Sequence, residues 1–367
     1  MSIQSKARIL TSTQLSEAVT ALLQGDVVGM PTETVYGLAG NVFDDSALLK
    51  IFHAKQRPLF DPLIVHIPIS WNTPEILDQK LLIDLKKFTP NMTSIARALI
   101  EDFWPGPLTL IVPRSSHVSD LVTSGLDTVG LRMPQHTVAQ ALLKMCDIPL
   151  AAPSANRFGR ISPTEAIHVQ SEIGDKIPFI VDGGPCQIGV ESTVARILDD
   201  EVIVLRLGKV TSDELKASLK IHNLSVPVNS GIGVIDQEIQ ARSPGMLASH
   251  YAPIKPLKII DFSESPLHVS HQIESVISEF KSSNVGLLTC KQSDQTAFET
   301  CRKNSLIVEG HATLTKNGDG DEAAKNLFKS LRFLDEYRLD VIIAEKPKDH
   351  NGLWMAVSDR LFRASHK

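Results

Sequence analysis

VVGMPTETVYGLAGNVFDDSALLKIFHAKQRPLFDPLIVHI, residues 27–67, decides the fold class. VVGMPT is a short apolar run ending at a proline, the pattern of a buried strand. Asp44 and Asp45 ahead of ALLKIF make an acidic helix start, favoured by the helix dipole. The helix has to end near Arg57-Pro58, because a residue before proline is pushed out of helical geometry. LIVHI then reads as a second buried strand. Upstream, Thr13–Leu23 has helical spacing with Gly25 just past its end. Helix and strand alternate, which predicts an α/β sheet.

The alternation continues outward. Strands are expected at LTLIVP (108–113), TVGLRMP (128–134), PLAAPSAN (149–156) and FIVDGG (179–184), with a helix over 137–146. STVARIL and EVIVLRL flank Asp199-Asp200 as a hairpin, so part of the sheet is antiparallel and the sheet is mixed, twisted and open. A short helix over 212–219 follows. Residues 222–256 lose periodicity and carry Pro, Gly and Ser, which reads as a linker. From 258 the alternation restarts with KIID, a helix over 267–281, VGLLT, SLIVEG, a helix over 322–337, VIIAEK and a helix over 352–364. The expected organisation is a first domain over 1–221, a linker over 222–256 and a smaller, Rossmann-like α/β domain over 257–367. A length of 367 residues suits two cores, since single cores stop growing at roughly 250 to 300 residues.

Composition removes several function classes. A net charge of -5 disfavours a bulk-charge nucleic-acid binder, leaving only a local basic cleft for such contact. The start MSIQSKARIL lacks a signal-peptide core, and no stretch reaches the roughly 18 apolar residues of a bilayer span. A cytoplasmic protein without membrane contact is expected. Cys146, Cys186, Cys290 and Cys301 form no C-x-x-C pair, so they read as buried thiols, and His268 with His271 reads as a solvated pair; no metal site is expected. Neither G-x-G-x-x-G nor the P-loop signature occurs.

The polar residues that interrupt this apolar alternation mark a site. Thr32, Glu33, Thr34 and Tyr36 crowd hydroxyls and one carboxylate at the end of a strand, where open α/β sheets face ligands. Lys55 and Arg57 stand two apart at a helix end; they suit a polyphosphate, although a solvated pair at a helix C-terminus has the same pattern. Arg132 and Arg206 end apolar strands, where an unpaired charge is costly, so four cations are expected to converge on an anion. APSANRFGRISPT (152–164) brings Ser154, Asn156 and Ser162 after an apolar strand, as a phosphate nest or as a plain turn with a capped helix. DGGPCQIGVESTV (182–194) sets Ser192 and Thr193 behind a Gly-rich loop.

In this order PTETVYGLAG, AKQRPLFDPLIVHI, APSAN with SPT, and DGGPCQIGVESTV resemble the YrdC-type fold of threonylcarbamoyl-AMP synthases over about residues 12–210. SPGMLASHYAP (243–253) and GLWMAVSDRLFRAS (352–365) are similar to the linker and C-terminal domain of the two-domain Sua-type members. The resemblance implies a threonine pocket of Thr34, His66, Arg132, the backbone around Ala152, and Ser192. It implies an ATP site of Lys55, Arg57, Asp61, Thr128, Ser154, Asn156, Ser162 and Arg206, closed by Tyr251, with Lys55 and Arg57 acting on phosphate charge. The implied reaction makes threonylcarbamoyl-AMP and pyrophosphate from threonine, bicarbonate and ATP, with magnesium accompanying ATP. A downstream threonylcarbamoyl transferase and a tRNA contact are the implied partners, and an RNA-binding module without turnover is the alternative. This chain departs from the family pattern at Asp61, often Asn; at Gln56, usually Gly; and at Leu207, usually Pro.

Overall fold

The computed structural model describes residues 6–230, 250–292, 295–349 and 351–366. They fall into two compact units. The first holds 6–158, 163–187 and 191–230; the second holds Gly159–Ser162, Ile188–Val190 and 250–366. Residues 231–249 of the expected linker, with the SPGMLAS part of its motif, lie outside the described residues.

The first unit is one mixed sheet of eleven described strands: β1 (Arg8–Leu10), β2 (Val28–Met30), β3 (Gly37–Asn41), β4 (Ile64–His66), β5 (Leu108–Pro113), β6 (Thr128–Arg132), β7 (Leu150–Ala151), β8 (Phe179–Val181), β9 (Thr193–Ile197), β10 (Val202–Arg206) and β11 (Val228–Ser230). Their spatial order is β1-β8-β2-β3-β7-β4-β6-β5-β9-β10-β11. Helices cover it with two apolar clusters. One packs Leu15–Leu23 and Thr137–Cys146 through Ala18, Leu22, Leu142 and Leu143; the other gathers Leu48, Ile51, Ile95, Leu99, Ile173 and Leu215. The expected hairpin at Asp199-Asp200 is the antiparallel β9–β10 pair. Val228–Ser230, inside the stretch read as linker, runs parallel to β10 as an edge strand with two of its three residues exposed, which leaves no apolar run to read.

Local chemistry sets the element that matters most for the site. Asp44 caps the helix Asp45–Lys55 by accepting from the amides of Ser46 at 2.9 Å and Ala47 at 3.3 Å. Leu48, Ile51, Phe52 and Ala54 face the core. The helix stops at Gln56, whose φ of 53° is left-handed, a cap usually given to glycine. This bend turns Lys55 and Arg57 inward, where both are buried.

Five adjacent strands create the working edge. The register pairs His66 with Arg132 across β4 and β6, Thr109 with Arg132 across β5 and β6, Leu108 with Thr193 across β5 and β9, and Arg206 with Val194 across β10 and β9. The carboxyl ends of β4, β6 and β10 therefore meet the amino ends of β5 and β9.

The second unit has a parallel sheet of β12 (Leu257–Ile260), β13 (Asn284–Lys291), β14 (Ile307–Thr315) and β15 (Val341–Glu345), ordered β12-β15-β13-β14. Helices Pro266–Phe280, Gly320–Asp335 and Leu353–Ala364 fall where the sequence pattern predicts, and a further helix, Thr296–Lys303, which that pattern did not disclose, lies between β13 and β14. No described helix is long and apolar enough to cross a membrane. All four cysteines are buried and free, and burial pushes each thiol up from its ordinary pKa. His268 and His271 are exposed, and no group of three or more potential metal-ligating residues occurs among the described residues.

Candidate active site

Arg132 ends β6 with its guanidinium almost wholly buried. Its Nη2 donates to Glu33 Oε1 at 2.7 Å, its Nη1 to Thr34 Oγ1 at 2.8 Å and its Nε to the Gly106 carbonyl at 3.4 Å. Glu33 Oε2 accepts from the Gln135 amide at 3.2 Å. A carboxylate 99 residues away in sequence, which the sequence pattern did not announce, already pairs with Arg132.

His66 stands beside Arg132 across the strand pair. Burial, reinforced by the neighbouring guanidinium, lowers its pKa from 6.5 to about 3, so the ring is neutral. Its Nδ1 lies 3.3 Å from the Ile64 carbonyl, which can only accept. Nδ1 therefore carries the proton, and Nε2 is left as an acceptor.

Ser192, immediately before β9, joins the threonine and phosphate sides of the expected site. Arg206 Nη2 donates to Ser192 Oγ at 3.0 Å and Arg206 Nε to the Ser192 carbonyl at 3.0 Å, while Thr109 Oγ1 lies 2.8 Å from Ser192 Oγ. Thr109 is fully buried on the strand that also borders Arg132. Sequence reasoning missed it; its signal is a hydroxyl in the otherwise apolar LTLIVP.

Lys55 and Arg57 are spoken for as well. The Lys55 ammonium donates to the Ser154 carbonyl and, at 2.6 Å, to the Asn156 carbonyl. Burial, then the nearby Arg57, holds Lys55 well below the usual lysine range. Arg57 folds onto its own loop: Nε donates to the Asp61 carbonyl at 3.1 Å, and Nη2 reaches the Pro62 carbonyl at 2.9 Å and Asp61 Oδ2 at 2.8 Å. Burial raises the Asp61 pKa, and Arg57, Lys55 and Arg206 oppose that rise. Asp61, the departure from asparagine, thus pairs with Arg57.

The remaining expected residues sort by unit. Ala152 gives its N–H to the Ile64 carbonyl at 2.9 Å, so its own carbonyl is what it can offer. Ser154 bridges to Gly37, Asn156 is buried with Nδ2 on the Arg157 carbonyl at 2.7 Å, and Thr128 opens β6 half-buried. All of these belong to the first unit. Ser162 and Tyr251 belong to the second. There Tyr251, at φ 64°, stacks on Phe328 with centroids 5.7 Å apart and lies 5.3 Å below the Arg360 guanidinium.

Two family models match the chain. One described as "Telomere recombination" covers residues 20–208, and one described as "Threonylcarbamoyl-AMP synthase, C-terminal domain" covers residues 210–366. The chain is 37% identical over 359 residues to the threonylcarbamoyl-AMP synthase of Bacillus subtilis, spanning 96% of this chain and 93% of that one. It is 36% identical over 345 residues to the namesake enzyme of Pyrococcus abyssi, spanning 93% and 91%. The solved structure of P. abyssi Sua5 complexed with L-threonine aligns over 98% of both chains, with a TM-score of 0.77 and 33% identity.

Proposed function

The chain belongs to the threonylcarbamoyl-AMP synthase family, and from that premise we propose how its own residues divide the work of joining L-threonine, bicarbonate and ATP. The amine of threonine and bicarbonate give a carbamate and water. The carbamate oxygen then attacks the α-phosphorus of ATP and expels pyrophosphate. No enzyme nucleophile takes part, so the protein contributes position, charge and exclusion of water.

Arg132 takes the substrate carboxylate, with Thr34 Oγ1 and His66 Nε2 as acceptors for the substrate's donor groups. Ser192 holds Arg206 at the boundary between amino acid and nucleotide. Lys55, Arg57 and Arg206, with the Ser154–Asn156 loop, receive the phosphates; Asp61 and Thr128 complete the nucleotide set of this unit. Magnesium enters with ATP as part of the substrate, since the Asp61 carboxylate is already engaged by Arg57. The adenylate is a mixed anhydride prone to hydrolysis, so a threonylcarbamoyl transferase acting on tRNA must consume it, in the cytoplasm.

The observation that carries this reading is the chain of contacts from Arg132 across β5 to Ser192 and Arg206, along one edge of the sheet. The test is mass spectrometry of the product after mixing protein, ATP, bicarbonate and single amino acids. The adenylate should form with threonine and need bicarbonate. RNA binding without threonine-dependent pyrophosphate release would replace this reading with that of an RNA-binding module.

A further inference from the structure

We propose that Thr32 and Glu33 are positioning residues that fix what Thr34 and Arg132 present to the amino acid: an acceptor at Thr34, and a matched pair of N–H donors at Arg132. The proposal rests on reading Thr34 and Arg132 as amino-acid ligands.

Proton bookkeeping carries it. Thr32 Oγ1 lies 2.6 Å from the Val35 carbonyl, and a carbonyl only accepts, so the single hydroxyl proton of Thr32 is committed there. In the 2.9 Å contact between Thr32 Oγ1 and Thr34 Oγ1, Thr34 must therefore be the donor. A guanidinium only donates, so Arg132 Nη1 gives its hydrogen to Thr34 Oγ1 at 2.8 Å. Thr34 has then spent its proton on Thr32 and one lone pair on Arg132. Its remaining lone pair can meet only a donor, such as the α-ammonium of an amino acid. The amides of Thr34 at 3.2 Å and Val35 at 3.3 Å share the other lone pair of Thr32 Oγ1, which holds the hydroxyl in this direction.

Glu33 does the corresponding work on Arg132. Both carboxylate oxygens accept, one from Arg132 Nη2 and one from the Gln135 amide. Arg132 has five N–H groups, of which three are used, leaving one on each terminal nitrogen. That pair suits a carboxylate, and the acceptors at Thr34 Oγ1 and His66 Nε2 suit an ammonium and a hydroxyl. The pattern is complementary to a zwitterionic hydroxy-amino acid. A glutamine at 33 would turn an amide N–H toward Arg132 or toward the Gln135 amide, a donor facing a donor in either flip.

The experiment compares Thr32→Val with Thr32→Ser, and adds Glu33→Gln, reading threonine affinity by calorimetry without nucleotide and KM for threonine and for ATP separately. Thr32→Val should raise the threonine Kd and KM about tenfold, as for a hydrogen bond lost in a buried site. KM for ATP should change less than about twofold, and Thr32→Ser should restore threonine binding. Glu33→Gln should raise threonine KM by about tenfold or more. Unchanged threonine affinity in Thr32→Val overturns the proposal. So does equal damage in Thr32→Val and Thr32→Ser, which would assign the effect to packing. A wild-type protein that releases no pyrophosphate with threonine would overturn instead the functional reading beneath it.

Discussion

Replacing Lys55 by methionine separates its two duties. In the folded protein the ammonium is buried and ties the Ser154 and Asn156 carbonyls to the end of the helix Asp45–Lys55. Methionine keeps most of the volume and removes the donors. The two hydrogen bonds lost, each made by a charged donor, are worth about 1.5–3 kcal/mol apiece. Against this stands relief from burying a cationic group next to Arg57, the combination that depresses the Lys55 pKa. The two contributions oppose each other, so the net stability change should stay below about 2 kcal/mol, a few degrees of melting temperature. Catalysis has no such compensation: a preorganised donor aimed at developing phosphate charge is worth about 2.7–4 kcal/mol, or about 10²- to 10³-fold in turnover. The assay is pyrophosphate release dependent on both threonine and bicarbonate, run beside a thermal melt. A variant that melts within a few degrees of wild type and turns over within about threefold of it would refute the assignment of Lys55 to the phosphates.

Three other outcomes are expected. Asp61→Asn should lower KM for ATP by up to about tenfold, since a negative charge leaves the phosphate side while the backbone carbonyls that bind Arg57 remain; a higher KM would mean that the carboxylate's hold on Arg57 outweighs repulsion. Ser192→Ala should cost about 0.5–1.5 kcal/mol in kcat/KM for threonine, as Arg206 and Thr109 both lose a partner, and an unchanged value would remove Ser192 from the site. His66 titrates near 6.5 when unfolded and about 3 when folded, so between these values the unfolded chain binds the extra proton. Stability should therefore fall as pH drops through that window, by up to about 1.4 kcal/mol per unit, and a denaturation series should show a shallower slope in His66→Gln.

The sequence disclosed the buried cations of the proposed site better than their partners. Lys55, Arg57, Arg132 and Arg206 are legible because a cation that interrupts apolar periodicity at the end of an element is costly to bury without an anion nearby. Their partners are not legible. Glu33 meets Arg132 through a register that no local pattern specifies, and the Arg57–Asp61 pair depends on the left-handed turn at Gln56. Arg57 and Arg132 therefore carry carboxylates of their own that the sequence did not announce. The three-residue strands β2 and β4 were readable because they are buried throughout and stand in apolar runs, whereas the edge strands β1 and β11 each expose two of three residues and offer no such run. The helix Pro90–Phe103 went unrecognised despite a Thr89 cap and apolar residues at 92, 95, 96, 99 and 100.

The carboxylates lodged against Arg57 and Arg132 set a ceiling on how tightly this site can grip. An incoming anion does not fall into a vacant positive well; it trades places with, or shares, a resident one, and only the difference between the two pairings appears as affinity. Such a site is poised for release as much as for capture. That suits an enzyme that must surrender both a pyrophosphate and a perishable adenylate on every cycle.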